Sequence, residues 1–141
     1  MVKSVLFACN MNSVRSPMAA ALLRAEAGSG LAVDSAGVYE GGLDPFVETV
    51  LGEIGVSLAG HEPKSMQALN LDAFDLAVVL TPEAAVEVRR YLPREKIEFW
   101  PVENPSDTRG GEAEILEAYR RVRDELRERI AARFPEYHQK P

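Results

Sequence analysis

Brief apolar runs alternate along this chain with longer segments of helical spacing, and that alternation restricts the fold more than any other feature. Leu76–Leu80 reads LAVVL without a polar residue, and Ser4–Ala8, Leu31–Ser35 and Ile97–Trp100 are further short strand candidates. A run this short that is apolar on both faces suits a strand covered on both sides, as in parallel sheets. Between the runs lie Pro17–Ala27, stopped by Gly28 and Gly30, then Pro45–Ile54, Lys64–Leu69, a segment from Pro82 to about Tyr91, and Glu112–Phe134. The last carries the stripe Ile115, Ala118, Tyr119, Val122, Leu126, Ile130 and Phe134. Its charged face reads as solvated, with Glu117/Arg121 and Glu125/Arg129 as i,i+4 pairs. Strand–helix alternation predicts an α/β fold with parallel strands and helices on both faces of the sheet. Ligands of such sheets sit beyond the carboxyl ends of the strands.

A length of 141 residues suits a single domain, 1–141, and burial of roughly 68–70% of the unfolded surface at this size supports a self-sufficient core. The net charge of −6 argues against nucleic acid and anionic membranes as partners. Cys9 is the only cysteine, so an internal disulfide and a multi-cysteine metal site are excluded. The apolar start is too short to span a membrane and shows no cleavage site. These features read as a cytoplasmic protein.

Cys9 follows the first strand, and five residues, Asn10, Met11, Asn12, Ser13 and Val14, separate it from Arg15, Ser16 and Pro17. Ser16 is the expected N-cap and Pro17 the expected first residue of the helix. A loop entering a helix N-terminus can wrap a tetrahedral oxyanion with backbone N–H groups, and an arginine adds a planar fork that holds two oxygens. The same positive surroundings favour the thiolate of Cys9. A lone cysteine behind an apolar strand is ordinarily a small core residue. The combination of strand end, thiol, five-residue loop, Arg-Ser-Pro and helix points instead to chemistry.

The stretch VLFACNMNSVRSPMAAALL resembles the signature of the low-molecular-weight protein tyrosine phosphatases and of the arsenate reductases that share their fold. Its elements are Cys9, Asn12, Arg15 and Ser16, supported by DSAG at 34–37, the third strand, and an aromatic-led segment at 100–105. The resemblance implies a four-stranded parallel sheet between helices, a flavodoxin-like three-layer architecture. It implies a phosphomonoester hydrolase that needs no metal or other cofactor. Cys9 would attack phosphorus to form a phosphocysteine, while Arg15 and the amides of residues 10–16 hold the phosphoryl oxygens. Asn12 would stabilise the loop with Ser35 as its partner, Ser16 would hydrogen-bond the thiolate, and His61 would buttress the loop. The expected partners are a phosphorylated protein or small aryl phosphate and oxyanions such as phosphate, sulfate and arsenate.

The sequence departs from that pattern at the general acid, which the family carries as an aspartate before a proline. Here the residue before Pro105 is Asn104. Such an acid typically contributes 10²–10⁴-fold in rate. Glu103 or Asp107 would have to replace it, or the protein binds phosphoryl groups and turns them over poorly, whether natively or because an asparagine was introduced to trap substrate. Tyr39 is a candidate wall for the substrate ring, Trp100 a packing residue, and His138 part of a polar tail. Two other functions compete: arsenate reduction with an external small thiol, and a phosphotyrosine- or anion-binding module with little turnover.

Overall fold

The computed structural model describes residues 2–42, 44–58 and 60–137. Four strands, β1 (Ser4–Cys9), β2 (Ala32–Gly37), β3 (Leu76–Val79) and β4 (Ile97–Phe99), form one parallel sheet in the order β2-β1-β3-β4. The four longer helices are α1 (Arg15–Ala27), α2 (Pro45–Gly52), α3 (Pro82–Arg89) and α4 (Glu112–Arg133). The expected α/β architecture is therefore present, with most boundaries within two residues of the expectation. The predicted helix at 64–69 is a single 3-10 turn, Met66–Ala68.

Side-chain alternation on β1 explains its unbroken apolar sequence. Val5, Phe7 and Cys9 point into one core with α1, α2 and α4, whereas Leu6 and Ala8 point into a second with Ala84 and Val88 of α3. On β3, Leu76 and Val78 join the first core and Ala77 and Val79 the second. Residues 16–23 of α1 are all buried, so its alanines allow close approach by β2 and α4. The caps of α2 and α3 are legible in the sequence: Asp44-Pro45 and Thr81-Pro82 each place an acceptor side chain at the N-cap and a proline at the first helical position.

Three local expectations change. Helix α1 begins at Arg15 rather than Pro17, and Ser16 is not its N-cap, because its hydroxyl is engaged by Cys9 and Asn12. Cys9 is the last residue of β1 rather than lying past it. On α4, Glu117 pairs with Arg120, not Arg121, and Arg129 lies over the Trp100 ring instead of pairing with Glu125. Trp100 packs edge-on against Phe7 at 6.0 Å, as a packing residue should. His138 lies outside the described residues. Among the described residues, no helix is long and apolar enough to cross a membrane.

Candidate active site

Strand β1 delivers Cys9 to the carboxyl edge of the sheet, next to the switch point between the adjacent strands β1 and β3. Residues 10–14 then fold into a loop that enters α1. Its shape is fixed by contacts behind it. Asn12 is fully buried with φ = 54°, a left-handed conformation that asparagine tolerates better than most side chains. Its Oδ1 accepts from the Lys64 backbone N–H at 2.9 Å, and its Nδ2 donates to Ser16 Oγ at 2.9 Å. The Ser16 hydroxyl stands 2.9 Å from Cys9 Sγ. The Thr81 hydroxyl donates to Asn10 Oδ1 at 2.6 Å, joining the loop to the start of α3.

The 38–42 segment closes the other side. Val38, Tyr39 and Gly41 donate their N–H groups to the carbonyls of Cys9, Asn10 and Met11 at 2.8–3.0 Å. Gly37 is required by this packing. A Cβ there would lie 2.5 Å from the Tyr39 carbonyl oxygen and 2.7 Å from the Asn10 oxygen and Asn12 nitrogen, all backbone atoms.

A cavity of about 540 Å³ opens above Cys9. Met11, Ser13, Val14 and Arg15 line its base beside Cys9. Gly42, Asp44, Pro45 and Phe46 form one wall, and Asn104, Ser106, Ile115 and Tyr119 complete it. The volume suits a small ligand. Arg15, at the first turn of α1, also donates from Nη1 to the Val102 carbonyl at 3.0 Å, tethering the loop to the segment after β4. A thiol, a guanidinium and the opening N–H groups of a helix thus share one cavity, an arrangement with the chemistry of an anion site.

The predicted residues divide by position. Cys9, Arg15 and Asn104 reach the cavity, with Met11, Ser13 and Val14. Asn10, Asn12 and Ser16 support the loop from behind, tied by their side chains to Thr81, to the Lys64 amide and to Cys9. His61 Nε2 is 3.4 Å from the Asn12 carbonyl oxygen, in reach of its expected role, and burial pushes its pKa below the ordinary 6.5.

The expected Asn12–Ser35 bond does not form. The Asn12 amide is satisfied by Ser16 and Lys64, and Ser35 Oγ is buried without a hydrogen-bond partner among the described residues. Tyr39 is 64% exposed and does not line the cavity; its backbone is pinned to Asn10, and the aromatic wall comes from Phe46 and Tyr119 instead. Nor does either fallback carboxylate line the cavity. Glu103 faces a separate crevice with Arg121 and Glu125, and Asp107 is exposed in the turn after Pro105. Asn104 Oδ1 caps that turn, accepting from Ser106 N at 3.1 Å and Ser106 Oγ at 2.8 Å.

Sequence reasoning missed the pair formed by Asp44 and Tyr119. Tyr119 donates its hydroxyl proton to Asp44 Oδ2 at 2.5 Å, and its ring tilts against Phe46 at 5.3 Å. Burial, reinforced by the Asp44 carboxylate, raises the phenol's pKa far above 10, so it stays protonated. The cap signature of Asp44-Pro45 and the apolar stripe containing Tyr119 were both visible, but nothing in the sequence joins residues 75 positions apart.

Comparison with known proteins agrees with this geometry. The family model for low molecular weight phosphotyrosine protein phosphatases matches residues 4–140. An arsenate reductase of Bacillus licheniformis is 33% identical over 134 residues, covering 95% of this chain and 96% of that protein. The crystal structure of a low molecular weight protein tyrosine phosphatase from T. tengcongensis superposes with a TM-score of 0.80 at 26% identity, covering 95% of this chain and 99% of the other. The tyrosine phosphatase Wzb from Escherichia coli K30, solved in complex with sulphate, gives 0.77 at 25% identity, with coverages of 96% and 98%.

Proposed function

This chain belongs to the low molecular weight phosphotyrosine protein phosphatase family, and on that premise we propose that it hydrolyses phosphomonoesters through a phosphocysteine on Cys9. The observation that carries the reading is the Cys9 thiol, 2.9 Å from the Ser16 hydroxyl, at the base of an open cavity that Arg15 also lines. In the first half-reaction the sulfur attacks phosphorus and the leaving oxygen departs with the P–O electron pair. Arg15 and the loop N–H groups hold the three remaining oxygens as charge shifts among them. The Ser16 hydroxyl can donate to the thiolate, and Asn12 keeps that hydroxyl in place. In the second half-reaction water displaces the sulfur and phosphate is released. Asn104 cannot act as a carboxylic acid, so turnover is low for esters of weakly acidic alcohols.

The proposed substrates are aryl phosphates, free or on a protein, and Phe46 and Tyr119 give the cavity an aromatic lining for the ring. A lone catalytic thiol suits a reducing compartment, and the cytoplasm is the proposed location. The test is hydrolysis of p-nitrophenyl phosphate by wild type and Cys9→Ser, with acid quenching and mass spectrometry to capture the phosphorylated cysteine. We expect turnover and a phosphocysteine in wild type and neither in the variant. Equal turnover by both proteins defeats the proposal.

The arsenate reductases among the relatives supply a second reading. Arsenate would condense with Cys9 with loss of water. An external small thiol would then attack Cys9 Sγ, releasing arsenite and leaving a mixed disulfide, which a second thiol reduces. The external thiols are required because Cys9 is the only cysteine. Arsenate-dependent oxidation of glutathione, lost in Cys9→Ser, identifies this activity.

A further inference from the structure

Hydrolysis of a phosphocysteine requires a group to take the proton of the attacking water, and position 104 does not supply one. The cavity does hold a carboxylate that neither the loop motif nor the family pattern indicated. Asp44 is the only carboxylate among its described lining residues. Its Oδ1 accepts the Phe46 N–H at 2.9 Å and its Oδ2 accepts the Tyr119 hydroxyl at 2.5 Å. Both neighbours are donors, which suits an acceptor-only carboxylate. Such a group has about four lone-pair sites, so each oxygen retains one. Tyr119 is 1% exposed and packed in the core, so it holds the carboxylate from a fixed position.

We propose that Asp44, positioned by Tyr119, is the general base of the second half-reaction. The assignment rests on the phosphocysteine reading above. The water oxygen attacks phosphorus, the P–S bond breaks, and its electron pair returns to Cys9 as thiolate. The water proton passes to Asp44 and then to solvent, and phosphate departs. Among the described lining residues the first half-reaction has no equivalent donor: the Tyr119 proton is committed to Asp44, and Asn104 is an amide whose oxygen caps its own turn. The site therefore selects phosphates whose leaving oxygen departs without a proton, namely esters of acidic phenols and mixed anhydrides with carboxylic acids.

The test is rapid-quench kinetics with p-nitrophenyl phosphate on wild type, Asp44→Asn, Tyr119→Phe and the double variant Asp44→Asn/Asn104→Asp. Asp44→Asn should release one p-nitrophenolate per site at the wild-type rate. It should then accumulate phosphocysteine, with steady-state turnover reduced about 100-fold. Tyr119→Phe should keep the burst, lower the steady state several-fold and move the acid limb of the kcat–pH profile. The double variant should regain at least tenfold, because a carboxylate in the same cavity can take over the proton. A merely structural role for Asp44 predicts no such rescue. The assignment is overturned if burst and steady state are both unchanged in Asp44→Asn, if both are lost together, or if the double variant gains nothing. If wild type forms no phosphocysteine, the phosphatase reading fails as well. A phosphocysteine that turns over without regard to Asp44 overturns the base alone.

Discussion

Asn12 is the most informative place to perturb the loop, because its backbone and its side chain can be altered separately. Replacing it with alanine removes two hydrogen bonds, to Ser16 Oγ and from the half-buried Lys64 amide. At about 1 kcal/mol each, these account for about 2 kcal/mol. Alanine must also adopt φ = 54°, a conformation that costs an L-residue roughly 1–2 kcal/mol. Asn12→Ala should therefore cost about 3 kcal/mol. Asn12→Gly loses the same hydrogen bonds without the backbone cost, although glycine's greater freedom in the unfolded chain offsets part of the relief. It should be the more stable of the two by about 0.5–1 kcal/mol. Urea denaturation with a common m-value measures both differences. Sulfate protection of Cys9 from iodoacetamide reports whether the loop still binds an anion. Equal stability of the two variants, or an alanine cost below about 1 kcal/mol, refutes the account of how this loop is held.

Four further outcomes follow from the geometry. Asn104→Asp should raise turnover of phenyl phosphate at least tenfold and of p-nitrophenyl phosphate much less, since only the poorer leaving group needs the proton; an unchanged ratio between substrates shows that another group already provides it. Thr81→Val removes the donor to Asn10 and the cap of α3, so stability should fall by about 1 kcal/mol or more and sulfate affinity several-fold. Gly37→Ala brings a methyl group against three backbone atoms and should cost about 3 kcal/mol; a thermal midpoint equal to wild type contradicts the close approach. Glu53, held by Arg120 and Arg123, has its pKa lowered to about 2 from 4.5. Its contribution to stability is therefore complete above about pH 4.5 and lost as the pH falls toward 2, and Glu53→Gln should flatten the acid limb of the stability profile in that window.

The order of elements was legible because strands buried on both faces must be apolar throughout, and LAVVL admits no other economical reading. The site's centre was legible for a related reason: Cys9, Asn12, Arg15 and Ser16 lie within one continuous turn of chain. What escaped was of two kinds. Ser16-Pro17 carries the signature of a helix start, yet the hydroxyl has a nearer use beside the thiol, and the helix begins two residues earlier. A local propensity lost to a tertiary contact. The walls of the cavity are assembled from residues distant in sequence, so Tyr39, adjacent to the loop, was an expected wall, whereas Phe46 and Tyr119 form it. The Asp44–Tyr119 pair is the extreme case, since each residue has a sufficient local explanation, as cap and as core, that conceals the contact between them.

The solitary sulfhydryl at the base of the cavity has a practical consequence. An alkylating reagent can modify this chain at one cysteine only, so the rate of labelling, set against the rate without a guest, gauges how often the bowl stands empty. Titrating any candidate guest against that gauge yields its occupancy without a chromophore or a radiolabel, whatever the natural substrate turns out to be.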